Sequence, residues 1–167
     1  TTRPLEQPNR QLTDNLKNDV VNGAYWWREP GPNCELIIAY QGVVADQVFS
    51  AAGYLAEAKR DVGVLAVTSA DRLQADLNKA RRKRSTGVDN SAISHIEQKL
   101  IKVPRHAVLL TVIDGHPATL SWQGGVYGHQ TISHGVEEFG QTGTITDLYR
   151  LHHLDHESLV QASLASI

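Results

Sequence analysis

CELIIAYQGVVADQVFSAAGYLAEAKRDVGVLAVTSADRL, residues 34–73, places two apolar, β-branched runs on either side of a segment with a different period. In LIIAY (36–40) and in VGVLAVT (62–68) apolar residues follow one another without polar alternation. A strand covered on both faces has that pattern, as in a parallel sheet held between helices. Between the runs, Val44, Val48, Ala51, Ala52 and Leu55 recur three or four residues apart and fall on one helical stripe. The unit reads as strand, helix, parallel strand, with the right-handed crossover such units adopt.

Working outward, AVLLTVI (107–113) supplies a third buried strand, stopped by the turn Asp114-Gly115-His116-Pro117. The spacing predicts helices over 71–84 and 91–101, the second with an apolar stripe of Ile93, Ile96 and Leu100. A short helix at 118–123, an edge strand at 130–137 and two closing helices at 145–152 and 156–165 follow. Upstream, GAYWWRE (23–29) is an aromatic strand ended by Pro30-Gly31-Pro32, and a helix over 12–21 is capped by Thr13 or Asp14. Residues 1–22 are assigned to a linker or N-terminal extension, and 23–167 to one domain. The expected architecture is a three-layer α/β/α sandwich around a mostly parallel five-stranded sheet.

A chain of 167 residues can bury one substantial core. Its formal charge of −2 makes the whole molecule no electrostatic match for nucleic acid, so such a partner would need a local patch. Cys34 is the only cysteine, which excludes an internal disulfide and suits a reducing, cytoplasmic setting. No apolar run is long enough to span a bilayer, and no signal-peptide pattern opens the chain. With no methionine at the start or elsewhere, the chain is expected to be an excised or processed piece.

GVEEFGQT, residues 135–142, differs from the phosphate-binding loop G-x-x-x-x-G-K-[ST] by Gln141 in place of lysine. Glu137 and Glu138 would repel a phosphate, and the string lies far from the first strand. Thr144 and Asp147 resemble a capping box, so the stretch reads as a strand end and turn feeding a helix, with Gly140 and Gly143 for backbone freedom. His152 and His156 have the spacing of two metal ligands on one helical face, but Asp155 reads as an N-cap, so the spacing crosses a helix break. His129 and His134 read as half-buried, hydrogen-bonded side chains at the edge strand, and Cys34 as a core or strand-edge thiol. Lys79, Arg81, Arg82, Lys83 and Arg84 close a helix, where positive charge suits the dipole; a solvated helix end is the first reading, and contact with an acidic surface the second. No G-x-S-x-G, H-E-x-x-H, C-x-x-C or G-x-G-x-x-G motif occurs. Candidate ligand or interface positions are therefore the loops at strand ends, where ligands of open α/β sheets gather: Asp114, His116 and Thr119 in 114–119, and Gln141, Thr142 and Thr144 in 139–144.

The order of these segments carries a resemblance. The unit at 34–73, ending in Val67-Thr68-Ser69, then AVLLTVIDGHPATLSW (107–122), then ISHGVEEFGQTGTITDLYRLHHLD (132–155) with its G-[IV]-[DE]-x-F-G-x-[ST] block, resembles the C-terminal domain of the transketolase superfamily of thiamine-diphosphate enzymes. Within it the likeness is greatest to the homodimeric pyruvate dehydrogenase, the decarboxylating component of 2-oxoacid dehydrogenase complexes, where an aromatic strand like GAYWW also precedes the domain.

The resemblance implies that two preceding domains hold thiamine diphosphate and Mg²⁺, one through a G-D-G…N motif and one through a glutamate. Only Ile113-Asp114-Gly115 is similar here, without the asparagine, so no catalytic, cofactor or metal residue is assigned to this chain. Its implied role is scaffold and subunit packing, inactive alone. The implied parent reaction is oxidative decarboxylation of a 2-oxo acid with acyl transfer to a lipoyl group. Implied partners are the remaining parent domains, a second copy in a homodimer and an acyltransferase component. His153 departs from the pattern, standing where a helix-ending glycine is common. Two other readings stay open: a free-standing module binding a small anion at the strand-end loops, and an adaptor using the basic helix end.

Overall fold

A computed structural model describes residues 10–138 and 140–167. The elements run α1 (Asp14–Asn22), β1 (Ala24–Arg28), β2 (Leu36–Gln41), α2 (Ala45–Glu57), β3 (Val62–Val67), α3 (Ala70–Ser85) and α4 (His95–Leu100). Then follow β4 (Val108–Ile113), α5 (Ala118–Ser121), a 3₁₀ turn (Trp122–Val126), β5 (Thr131–His134), α6 (Ile145–Leu151) and α7 (His156–Leu164). The first nine residues of the expected linker, and Phe139 of the second candidate loop, lie outside the described residues.

The sheet order is β1-β3-β2-β4-β5, with β1 antiparallel to β3 and the remaining pairs parallel. Every residue of β3 and β4 is buried, as the unbroken apolar runs require. Alternation then sorts the core into two layers. Ile37, Ala39, Leu65 and Leu109 pack with α3 and α4, while Leu36, Ile38, Val64 and Leu110 pack with α2 and α7. The fold class is the expected one, α/β with helices on both sides of a mostly parallel five-stranded sheet. No helix among the described residues is long and apolar enough to cross a membrane.

Three local expectations need correction. The helix expected over 91–101 begins only at His95, because Ser94 caps it in a full capping box with Glu97. Ile93 then precedes the helix and is 43% exposed, so it is not part of the buried stripe. The short helix at 118–123 divides into α5 and the 3₁₀ turn. The edge strand stops at His134, after which the chain turns away so that the Val136 amide donates to the Gly115 carbonyl at 2.8 Å.

Candidate functional site

From β2 the chain crosses to β3 on one side, and the next crossover returns to β4 on the other. The crevice of such a sheet opens at the carboxyl ends of the two strands flanking that reversal, here β2 and β4. Beyond β2 lies Gly42 with φ +87°, and the Asp114 carboxylate from the end of β4 rests where a Gly42 side chain would stand. Glycine is required there twice, for the left-handed backbone and for the close approach. Tyr149 of α6 covers the crevice and donates its hydroxyl to the Val43 carbonyl at 3.4 Å. Burial raises the Tyr149 phenol above its usual range, and the nearby Asp114 and Asp46 carboxylates add to that. The buried Gln41 side-chain carbonyl has no hydrogen-bond partner among the described residues.

The candidate residues separate on this frame. Asp114 is at the crevice. His116 serves its own turn, with Nδ1 accepting from the Ala118 amide at 3.2 Å, and the Thr119 carbonyl accepts from the Trp122 indole at 2.9 Å. Gln141 donates to Glu138 at 3.3 Å, and Thr142 is exposed. Thr144 caps α6: its hydroxyl accepts from the Asp147 amide at 3.2 Å and donates to the Asp147 carboxylate at 2.6 Å. The carboxylate thus binds the hydroxyl and not the Thr144 amide, so this is half of the expected capping box. Gly140 has φ +103°, whereas Gly143 has no positive φ, and a side chain there would meet only ordinary contacts.

A second hollow, of about 480 Å³, lies past the end of β5 among Pro117, His134, Glu137, Leu151, His152 and His153. None of the six candidate residues lines it. Burial pulls the His134 pKa below the usual histidine range, His153 adds to this, and a hydrogen bond to the His153 backbone opposes it. His153 ends α6 in the left-handed region at φ +55°, and the next helix starts from Asp155, which accepts from the Ser158 amide at 3.1 Å. His156 lies beyond that break, its amide donating to Gln47 at 2.9 Å. The expected break between His152 and His156 is therefore present. Among the described residues no three His, Cys, Asp or Glu side chains are arranged to hold a metal.

The residues around the one similar string do not make a magnesium diphosphate site: the Asp114 carboxylate packs on Gly42, and among the described residues no three His, Cys, Asp or Glu side chains gather there to hold the metal. Cys34 is buried, donates weakly to the Leu36 carbonyl at 3.3 Å, and is pushed up to about 11 by burial, so it is no thiolate nucleophile. In the basic run Arg84 departs furthest from the solvated reading. It reaches back to Glu97 at 2.7 Å and holds the carboxylate that caps α4.

What sequence reasoning missed is contact between distant segments: Gly42 with Asp114, Tyr149 with Val43, Arg84 with Glu97. Only Gly42, a glycine directly after a buried strand, carried a local signal.

No protein-family model and no curated protein matches the chain. Solved structures do. It superposes on transketolase from Campylobacter jejuni subsp. jejuni NCTC 11168 with TM-score 0.61 and 18% identity, over 88% of this chain and 19% of that one. Transketolase from Leishmania mexicana gives TM-score 0.62 and 17% identity, over 89% and 18%. A split-gene transketolase, described as an inactive beta4 tetramer, gives 0.60 and 14%, over 86% and 41%. At these identities the likeness establishes the fold. That fold is transketolase-like, and the chain spans less than a fifth of the length of the first two.

Proposed function

We propose that the chain is the non-catalytic α/β domain of a larger thiamine-diphosphate-dependent enzyme, serving as scaffold and subunit contact. One observation carries the reading: nearly nine-tenths of the chain superposes on under a fifth of whole transketolases. Support also comes from the use of its candidate loop residues, since Thr144 caps a helix and Asp114 packs on backbone. The split-gene transketolase bears a related fold on a chain whose assembly is described as inactive. Thiamine diphosphate and Mg²⁺ belong, in this reading, to other domains of the parent. In finer detail, the order of motifs favours a homodimeric pyruvate dehydrogenase with residues 1–22 as linker, acting oxidatively on a 2-oxo acid and passing the acyl unit to an acyltransferase component. A single, buried, unreactive cysteine agrees with a cytoplasmic parent.

Three measurements test it. The reading frame upstream of Thr1 should encode a G-D-G…N motif; a start codon a few residues upstream sinks the proposal. Calorimetric titration of the chain with thiamine diphosphate and Mg²⁺ should give no binding heat, and saturable heat would contradict the division of labour. Adding a chain that carries the upstream domains should restore ferricyanide reduction with pyruvate, while a 2-hydroxyketol transfer activity in its place would select transketolase over pyruvate dehydrogenase.

A further inference from the structure

The basic end of α3 is only partly used by the fold. Arg84 holds Glu97, Arg81 touches the Gly125 carbonyl at 3.4 Å, and Lys83 lies 3.8 Å from Asp89. Lys79 and Arg82, three residues apart on the exposed face, have no carboxylate within ion-pair distance among the described residues. Like charges at that spacing repel on a helix surface, so the pair is unfavourable until an anion neutralises it.

The helix then ends in a way that leaves an apolar group stranded. Gly87, at φ +70°, donates to the Arg84 carbonyl at 3.2 Å and Val88 to the Lys83 carbonyl at 3.1 Å, the pairing of a Schellman motif. An apolar residue at the position of Val88 ordinarily packs on the third residue from the helix end. Here that residue is Lys83, and Val88 remains 76% exposed. Ala75, Lys79, Arg82, Lys83, Thr86 and Val88 line a groove of about 670 Å³ along this face, larger than the hollow beside His134.

We propose that this groove docks an acidic peptide segment of a partner protein, with carboxylates on Lys79 and Arg82 and an apolar side chain between Ala75 and Val88. Charge complementarity selects the sign of the occupant, and the apolar floor and wall select its side chain. No aromatic residue lines the groove to stack a base, which disfavours single-stranded nucleic acid. The inference is independent of the parent enzyme, because it rests only on α3 and the turn that ends it.

The test uses the whole chain and fluorescence anisotropy with three labelled probes: a peptide of glutamate-glutamate-leucine repeats, its leucine-to-serine counterpart, and an oligothymidylate of similar charge. The leucine peptide should bind, weaken with added salt, and bind about tenfold more tightly than the serine peptide. The double variant Lys79→Glu, Arg82→Glu should lose about tenfold or more, and Val88→Ser about threefold, both with unchanged circular dichroism. Equal binding by the charge-reversed variant, or no binding of the leucine peptide, overturns the proposal. Tighter binding of the oligothymidylate, lost in the same variant, overturns it in favour of a nucleic-acid surface.

Discussion

The two helical layers take alternate residues of the same strands, yet they are attached by different means. On one side, polar pins join short pieces. Glu97 accepts from the Ser94 amide at 2.7 Å and from Arg84, Lys99 reaches Asp19 of α1 at 2.5 Å, and His95 donates from Nε2 to the Ala24 carbonyl at 2.7 Å. On the other side, beyond the Tyr149 bond to Val43 and the His156 amide bond to Gln47, the contacts are apolar and aromatic. Trp27 stacks on Phe49 at 4.4 Å, Tyr40 meets the same ring edge-on at 5.5 Å, and α2 buries Val48, Ala51, Ala52 and Leu55. The pins serve the short pieces. Helices α2 and α3, of 13 and 16 residues, each bury an apolar stripe, whereas α4 has six residues and α1 buries none, so directional bonds fix those two.

The largest expected effect is therefore in the apolar layer. Leu55→Ala removes a fully buried side chain from the α2 stripe and should cost about 3 kcal/mol in urea unfolding. On the pinned side, Glu97→Ala removes both cap bonds to Ser94 and should cost about 1.5 kcal/mol. If Glu97→Ala proved the more damaging of the two, the pins and not the packed area would carry the structure.

Acid should separate the layers by pH. Burial lowers the His134 pKa on the α7 side, where His153 and Asp155 face it, so the unfolded chain takes up that proton first. This contribution is present above about pH 6.5 and is lost as pH falls through the folded value. Glu97 is opposed by its own burial but is held below the carboxylate range by Arg84 and Ser94. Its contribution is present above about pH 4.3 and disappears as pH falls further. Stability measured against pH should accordingly fall in two stages. His134→Gln should abolish the upper stage only, and Glu97→Gln should shrink the lower; an upper stage that survives His134→Gln, or a lower stage unchanged in Glu97→Gln, would refute the separation.

The apolar layer was the more legible in sequence, for the same reason that it needs no pins. Its strands and α2 announce themselves through periodicity, which depends on neighbours a few residues away. The helix starts at Thr13, Thr144 and Asp155 were legible as well, since a cap is a local pattern. Ser94 and Glu97 have the same pattern but lie within the spacing of Ile93, Ile96 and Leu100, which reads as one apolar stripe and hides the cap. Of the strand-end positions, Asp114 alone meets the crevice, because its partner Gly42 comes from a strand that only the sheet order places beside it. The hollow at His134 was invisible: its lining comes from Pro117 before α5, from β5 and the turn after it, and from the α6–α7 elbow, and none of these segments signals the others.

Helix ends give the finest form of the comparison. In the pinned layer, α1 and α3 turn out through glycines, Gly23 at φ +110° and Gly87 at φ +70°. In the apolar layer, the turns after α2 and α6 use Lys59 at φ +63° and His153 at φ +55°, where a side chain crowds the backbone. Both substitutions to glycine should relieve that crowding, offset by the extra freedom glycine gives the unfolded chain. The net gain should be about 0.5 kcal/mol for Lys59→Gly, and a shift of the urea midpoint without change of slope would show it. His153→Gly carries a second consequence, because His153 also lines the hollow and helps lower the His134 pKa. The variant should gain similar stability at neutral pH, and NMR titration should move His134 toward the ordinary histidine range. Stabilisation with an unmoved His134 would mean that the left-handed histidine is a tolerated departure from glycine and has no bearing on the side chain beside it.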